Sequence, residues 1–213
     1  MITLGVLASG SGTNLQAILD AAAKGTLQAR IAVVIANVAS AQALDRARAA
    51  GVEALVVPHK AYPDRESFDA ALVAALRERG VDLVVLAGFM RLVTPVLLDA
   101  FPMRIVNVHP ALLPAFPGVR AQQQAFDYGV RIAGCTVHFV DRGTDTGPII
   151  AQAAVPVLDD DDEPALRARI LAEEHALLPK VLQWIAEGRV RVEPAVAPGE
   201  GRAGRVRVRV RSG

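Results

Sequence analysis

Short apolar runs alternate with amphipathic stretches along the first 110 residues of the chain. Five runs are short, aliphatic and bounded by Gly, Pro, Asn or Ser, which is typical of strands: Ile2–Leu7, Ile31–Ala36, Ala54–Val57, Leu83–Ala87 and Ile105–His109. Between them, apolar residues recur at helical spacing over residues 14–24, 41–50, 65–79 and 95–100. Strands that are apolar on both faces and separated by helices predict an open, doubly wound α/β fold. We expect a mostly parallel sheet with helices on both faces, and ligands at the carboxyl ends of the strands.

The pattern changes after about residue 130. Residues 131–140 and 148–157 predict two longer strands joined by the polar loop Asp141–Gly147. A helix is expected over Pro164–Gly188, with Pro179 kinking it. The acidic run Asp159–Glu163 comes just before this helix, where negative charge is favoured by the helix dipole, so we interpret it as a solvated helix start.

The end of the chain differs in composition from the rest. Residues 194–204 are rich in Pro, Gly and Ala and predict a linker, and Arg and Val then alternate over residues 205–211. That alternation would place the arginines on one face of an extended segment. Residues 199–213 contain five Arg and one Glu, a net charge of +4, so residues 1–198 carry −3. We expect a disordered or edge-strand appendage in preference to a specific RNA or polyphosphate site.

Composition narrows the class of protein. The 213 residues are 52% apolar and carry a formal charge of +1, which fits one globular domain and argues against a nucleic-acid partner. The lone Cys135 cannot form an internal disulfide, which favours a reducing cytoplasm. No apolar run reaches the roughly 20 residues of a membrane span, and the N-terminus lacks the features of a signal peptide. The four histidines show no zinc spacing, so no metal is expected.

A glycine loop, Gly10-Ser11-Gly12-Thr13-Asn14, follows the first strand and opens a helix. Small residues let the backbone approach a ligand, and the free N–H groups of a helix start attract anions such as phosphate. A dinucleotide fingerprint would need a third glycine where Leu15 stands, and a P-loop would need a lysine. A phosphate site and a tight turn without a ligand both fit this loop.

Asn107 and His109 point to the same face at the end of the fifth predicted strand, and Pro110 ends that strand. Such polar groups are costly there unless they are satisfied or used, so a buried structural pair and a catalytic pair are both open. The loop Asp141–Gly147 brings the carboxylate of Asp145 to this region, which favours the catalytic interpretation of the pair. Without a nearby Ser or Cys nucleophile, the set suggests direct transfer through a tetrahedral intermediate, in which Asn107 and His109 hold the oxyanion and Asp145 tunes the imidazole.

Five ordered blocks of sequence carry a resemblance to a known family. They are SGSGTNLQAI at 9–18, VVLAGFMRL at 84–92, NVHPALLPAFPG at 107–118, GCTVHFVDRGTDTGPIIAQ at 134–152 and EEHALLPKVLQW at 173–184. Together they make the chain similar to the glycinamide ribonucleotide formyltransferases, folate-dependent enzymes of purine biosynthesis with a Rossmann-like formyltransferase fold. The resemblance implies a formyltransferase domain at 1–192 and a linker with a basic tail at 193–213.

The resemblance also implies roles for individual residues. Asn107, His109 and Asp145 would be catalytic, and glycinamide ribonucleotide would contact Gly12, Thr13, Asn14 and Glu174. The co-substrate 10-formyltetrahydrofolate would bind a further set, shared in part with the catalytic group: Arg65, Met90, Arg91, Leu92, Val93, Asn107, Asp141, Arg142, Gly143, Thr144 and Asp145. The chain departs from the family pattern at Ala111, Ala115, Arg120 and Gln122, which puts in doubt only a role for the histidines that many members have in this loop.

The implied reaction is transfer of a formyl group from 10-formyltetrahydrofolate to the amine of glycinamide ribonucleotide. Rivals are a formyltetrahydrofolate hydrolase, a tRNA formyltransferase and a noncatalytic folate- or phosphate-binding module. We expect the first two to carry further domains that 213 residues do not accommodate. The sequence leaves a homodimer open.

Overall fold

A seven-stranded sheet forms the centre of the molecule. The computed structural model describes residues 1–193 and 206–212. The strands of this sheet are β1 Ile2–Ala8, β2 Ala29–Ala36, β3 Glu53–Val56, β4 Leu83–Leu86, β5 Ile105–His109, β6 Ile132–Phe139 and β7 Ile149–Pro156. Their order is β3-β2-β1-β4-β5-β6-β7, in which β1 to β5 are parallel and β6 and β7 each run antiparallel to the strand before. The mostly parallel, doubly wound fold is therefore confirmed.

Helices cover both faces of the sheet. They are α1 Thr13–Ala23, α2 Ala43–Ala49, α3 Arg65–Glu78, α4 Pro95–Ala100, α5 Ala121–Tyr128 and α6 Glu163–Ala186, with a 3₁₀ turn at His59–Ala61. One buried core lies between the sheet and α1, α2 and α6. A second core lies between the sheet and α3 and α4. Since side chains alternate along each strand, the same strands supply both cores: Val6 packs into the first and Leu7 into the second.

Helix α5 was not expected from the sequence. Only Ala121 and Ala125 are buried among its eight residues, so the helix has almost no apolar stripe for a periodicity to reveal. The start of α6, in contrast, agrees with the acidic run before it. The Asp162 carboxylate accepts a hydrogen bond from the Ala165 backbone N–H at 2.8 Å, and the helix continues through Pro179.

The strand order reverses between β1 and β4, because β2 and β3 lie on one side of β1 while β4 and β5 lie on the other. Loops that leave the carboxyl ends of two such strands diverge to opposite faces and leave a crevice, which is where doubly wound folds bind ligands. The glycine loop follows β1, and the segment with Met90–Val93 follows β4. Both therefore border this crevice.

The C-terminal residues that the structure describes form a small second sheet. Strand β9, Arg207–Val210, pairs antiparallel with β8, Val190–Glu193. Arg207 and Arg209 are exposed, while Val208 and Val210 pack against the first core. The expected linker at 194–204 lies outside the described residues, and the boundary at 192/193 stays a prediction. Among the described residues, no helix has the length and apolar character that crossing a membrane requires.

Candidate active site

The glycine loop turns sharply into α1. Gly12 adopts a left-handed conformation with φ of +70°, and a Cβ there would lie 2.7 Å from the Cα of Ala43 in α2. Glycine is therefore required both by backbone conformation and by close packing. Within the described part of the chain, the backbone N–H groups of Ser11, Gly12 and Thr13 donate to no other group. The loop thus presents free donors at a helix start, as an anion site requires.

Asn14 and Glu174, distant in sequence, meet beside this loop. The Asn14 Nδ2 donates to Glu174 Oε2 at 2.7 Å, and both residues are buried. Burial raises the pKa of Glu174, an effect that the hydrogen bond from Asn14 partly offsets. The Asn14 Oδ1 is buried without a partner among the described residues. The structure therefore brings together two of the residues assigned to the ribonucleotide.

Asn107, His109 and Asp145 also come together, at the carboxyl end of β5. The His109 Nδ1 lies 3.3 Å from Asp145 Oδ2, and His109 Nε2 lies 2.8 Å from the carbonyl oxygen of Phe116. Both ring nitrogens therefore lie beside oxygen atoms that can accept a hydrogen bond. Asp145 has φ of +55°, and its Oδ2 accepts the Gly118 N–H at 2.8 Å, so its carboxylate is held in place from two sides.

His138 completes this group, although the sequence analysis assigned it no role. Its Nε2 lies 3.2 Å from Asn107 Nδ2 and 3.7 Å from Asp145 Oδ1. The position is opposite Asn107 in the β5–β6 pairing, a register that a single sequence does not specify. A histidine within a strand of mostly apolar residues was the signal that could have identified it.

Apart from Asn107 in β5, the residues assigned to folate lie in two loops and at one helix start. Met90 and Leu92 are exposed after β4, and the Met90 N–H donates to Ser9 Oγ at 2.9 Å. Arg91 lies over the Phe68 ring, with 6.0 Å from its guanidinium carbon to the ring centroid. Arg65 is exposed at the start of α3, and no hydrogen bond or ion pair within the described ranges joins it to these loops.

The second loop, 141–145, is ordered by its own hydrogen bonds. The Asp141 Oδ1 accepts from the Gly143 N–H at 3.1 Å and from the Thr146 hydroxyl at 2.7 Å. Arg142 instead pairs with Asp99 at the surface, 3.0 Å apart. Residues 1–193 and 206–212 contain no group of three or more side chains that could hold a metal ion.

This fold, with a polar group at the carboxyl end of β5 beside the crevice strand β4, is that of a formyl transferase domain. The family model for formyl transferases matches residues 3–182, and the chain belongs to that family. Phosphoribosylglycinamide formyltransferase of Escherichia coli is 40% identical over 192 residues, which cover 90% of this chain and 91% of the relative. The chain is therefore a member of the phosphoribosylglycinamide formyltransferase family.

Other relatives are longer. The trifunctional purine biosynthetic protein adenosine-3 of Drosophila melanogaster is 46% identical over 195 residues, and the chain spans 14% of its length. Among solved structures, glycinamide ribonucleotide transformylase 1 of Symbiobacterium toebii is 57% identical, with a TM-score of 0.91. That alignment covers 99% of this chain and 94% of the other.

Proposed function

We propose that the protein transfers the formyl group of 10-formyltetrahydrofolate to the primary amine of glycinamide ribonucleotide. The products are formylglycinamide ribonucleotide and tetrahydrofolate, in the purine biosynthetic pathway. The observation that carries this proposal is the contact of His109 with Asp145, on the same strand end as Asn107 and at the carboxyl edge of the sheet from which the glycine loop also leaves. A site of this composition can stabilise an oxyanion and move a proton without a covalent intermediate.

The side chains of β5 act on the formyl oxygen. When the amine nitrogen attacks the formyl carbon, negative charge develops on that oxygen, and the Asn107 amide and the His109 ring donate hydrogen bonds to it. The His109 Nε2 is held by the Phe116 carbonyl at 2.8 Å, so the substrate oxygen replaces this carbonyl as the acceptor. The Asp145 carboxylate stabilises the charged imidazole.

The reaction also requires a proton to move from the attacking amine to the folate nitrogen. The attacking amine loses one proton, and the folate nitrogen that leaves the carbon gains one. We propose that Asp145 assists this transfer, directly or through water, since its carboxylate lies between His109 and His138. The C–N bond to the folate breaks while the new amide C–N bond persists, so no oxidation state changes and no oxidant is required.

Binding is assigned to the two sides of the crevice. The N–H groups of Gly12 and Thr13 bind the ribonucleotide phosphate, and the buried pair Asn14–Glu174 contacts the rest of that substrate. The folate lies between the segment 90–93 and the loop 141–145, largely through backbone groups. Arg65 contacts the far part of the folate.

Incubation of the protein with both substrates tests this function, because conversion of 10-formyltetrahydrofolate changes its absorbance. If the protein is a formyltransferase, 10-formyltetrahydrofolate should be consumed only when glycinamide ribonucleotide is present. Consumption without the ribonucleotide would indicate a hydrolase. Binding of either ligand without turnover would indicate a noncatalytic module, and both results would overturn the proposal.

A further inference from the structure

Helix α2 packs directly behind the glycine loop. The Ala43 N–H donates to the Gly10 carbonyl at 3.2 Å, and the Nε–H of Arg46 donates to the Ser11 carbonyl at 2.7 Å. Gly12 approaches Ala43 so closely that a side chain at Gly12 would overlap the backbone of α2. Two successive carbonyl groups of the loop are thus held by one face of one helix.

These two contacts set the direction of the neighbouring N–H groups. In a trans peptide, the C=O and the N–H of one plane point in opposite directions. The Ser11 carbonyl shares its plane with the Gly12 N–H, and the Gly10 carbonyl shares its plane with the Ser11 N–H. Holding both carbonyls toward α2 therefore turns both N–H groups away from α2. In the described ranges neither N–H has a partner, so both are free for an anion.

Arg46 also supplies charge where the loop has none. Residues 9–14 contain no Lys or Arg. Arg46 is half-buried, and its Nη1 donates to Gln16 Oε1 at 3.1 Å, which fixes the guanidinium against the first turn of α1. Within residues 1–193 and 206–212, no carboxylate forms an ion pair with Arg46. Its positive charge is therefore left to act on an anion at the loop.

We propose that Arg46 is a positioning residue for the substrate phosphate: it fixes the Ser11–Gly12 peptide so that the Gly12 N–H faces the phosphate, and it adds a cation behind the loop. This inference rests on the proposed function. Arginine suits the task because its planar fork donates to the Ser11 carbonyl and to Gln16 at once, whereas lysine is a single flexible point donor.

A cavity beside Arg46 makes the proposal testable by chemical rescue. It has a volume of about 560 Å³ and lies between α1 and α6, with Arg46, Thr13, Gln16 and His175 among its lining residues. A free alkylguanidinium ion is small compared with this volume. The ion can therefore enter from solvent and reoccupy the position of a deleted arginine side chain.

The experiment compares Arg46→Ala and Arg46→Lys with Arg48→Ala in the full chain. Arg48 belongs to the same helix but is exposed and pairs with Asp45 at the surface, so it is a matched control. For Arg46→Ala we expect the KM for glycinamide ribonucleotide to rise about 10- to 100-fold, the range for loss of a charged hydrogen bond. The KM for 10-formyltetrahydrofolate and kcat should stay within about threefold of wild type, and Arg48→Ala should match wild type throughout.

Rescue and direct binding separate positioning from a general loss of structure. Ethylguanidinium should restore affinity in Arg46→Ala but leave wild type unchanged, and Arg46→Lys should recover the charge with only part of the affinity. Calorimetric titration with the ribonucleotide alone should reproduce the ranking of the KM values. An unchanged ribonucleotide affinity in Arg46→Ala would overturn the role, as would an equal loss for both substrates without rescue.

A failure of the proposed function can be distinguished from a failure of the Arg46 proposal. If wild type shows no formyl transfer, the function is wrong, and the role of Arg46 is then decided by titration with ribose 5-phosphate. Tighter binding by wild type than by Arg46→Ala would support a phosphate-positioning role. Equal affinities, or no binding by either protein, would overturn it.

Discussion

The orientation of Asn107 is set by a neighbouring histidine. A backbone carbonyl can only accept, so the His138 Nδ1 that lies 2.9 Å from the Phe139 oxygen carries the proton. Burial lowers the pKa of His138, which keeps the ring neutral and leaves Nε2 as an acceptor. Asn107 Nδ2 therefore donates one hydrogen to His138 at 3.2 Å, and its second hydrogen is the one that would donate to the formyl oxygen in the proposed reaction. His138 thus orients the side-chain amide of Asn107.

Replacing Asn107 by Ala should reduce kcat by about 10²- to 10³-fold, since it removes one oxyanion donor. Binding of both substrates should be largely retained. Steady-state kinetics with both substrates varied would measure the change. Asn37→Ala is the control, because Asn37 is likewise an amide at the end of a strand but is buried and contacts His59 instead. Turnover near wild type in Asn107→Ala would contradict its catalytic role.

Replacing Glu174 by Gln should change stability in a pH-dependent way. Burial raises the pKa of Glu174 above its ordinary value of 4.5, so the folded state binds this proton more tightly than the unfolded state. The carboxylate then costs stability above its folded pKa, and the cost vanishes below its unfolded pKa. Glu174→Gln should therefore be more stable than wild type at pH 7–8, with a difference that disappears toward about pH 4.

Urea unfolding of wild type and Glu174→Gln across this pH range would measure the difference. Glu173→Gln, at the less buried neighbouring carboxylate, is the control and should show a much smaller effect. A gain in stability that does not depend on pH would contradict the explanation. If Glu174 also contacts the ribonucleotide, the stabilised variant should bind that substrate less tightly, a trade of stability against function.

At the scale of elements, α3 holds the segment that follows β4. The buried Asp69 Oδ2 accepts the Thr94 N–H at 2.6 Å, directly after residues 90–93, and burial raises the pKa of Asp69. In the same helix, Phe68 stacks against Phe89, with ring centroids 6.5 Å apart, and contacts Arg91. The backbone assigned to the pterin ring is therefore fixed from both ends by one helix.

Asp69→Ala should accordingly weaken folate binding. The change leaves the buried Thr94 N–H without a partner, at a cost of about 1–3 kcal/mol in stability. We also expect a rise in the KM for 10-formyltetrahydrofolate with little change for the ribonucleotide. Asp82→Ala is the control, since Asp82 accepts the Thr3 N–H at 2.8 Å away from the crevice. Equal effects of the two variants on folate KM would show that Asp69 has only a structural role.

Strands and helices could be predicted from the sequence where burial determines the pattern of apolar residues. The expected strand Ile105–His109 agrees with β5 at both ends, and the other six expected strands of the main sheet agree within about two residues, because each is an apolar run closed by a turn or a polar residue. Strand β8 was not expected from the sequence. Helix α5 was missed because only two of its side chains are buried. Contacts across the sheet, such as His138 with Asn107, depend on strand register, and a single sequence carries little information about register.

For the site, too, the sequence reveals residues that break a local pattern but not residues whose role depends on tertiary contacts. The loop after β1 and the polar pair on β5 are visible in the sequence because each breaks a local pattern. Arg46 and Asp69, in contrast, sit at ordinary helical positions, and their contacts are with loops 35 and 25 residues away. Only the fold distinguishes Arg46 from Arg48, which faces the surface two residues later.

At the scale of the whole molecule, charge is divided unevenly along the chain. Residues 1–198 carry a net charge of −3, and the basic excess belongs to residues 199–213. The two anionic substrates of the proposed reaction would then be attracted by local features of the body, because its overall field is mildly unfavourable. Arg46 at the loop and Arg91 beside Phe68 are the cations that we propose for this attraction.

Deleting residues 199–213 should leave formyl transfer intact and lower thermal stability. The deletion removes β9, whose Val208 and Val210 pack against the first core, and leaves β8 unpaired. For a domain of this size, each kcal/mol lost lowers the Tm by about 2–4 °C. Replacing Arg207 and Arg209 by Ser is the control that keeps the strand but removes charge. A large loss of turnover on deletion would show that the tail contributes to the site.

The single cysteine has a practical consequence for future experiments. Cys135 is fully buried in β6, and burial raises the pKa of its thiol to about 12, so thiol reagents at neutral pH should leave it unmodified. An introduced cysteine can therefore be labelled specifically without first replacing Cys135. A cysteine introduced at Val119, which is 74% exposed and next to the Gly118–Asp145 contact, would carry a fluorophore as the sole label. Its signal would show whether the environment of residues 115–120 changes when either substrate is added.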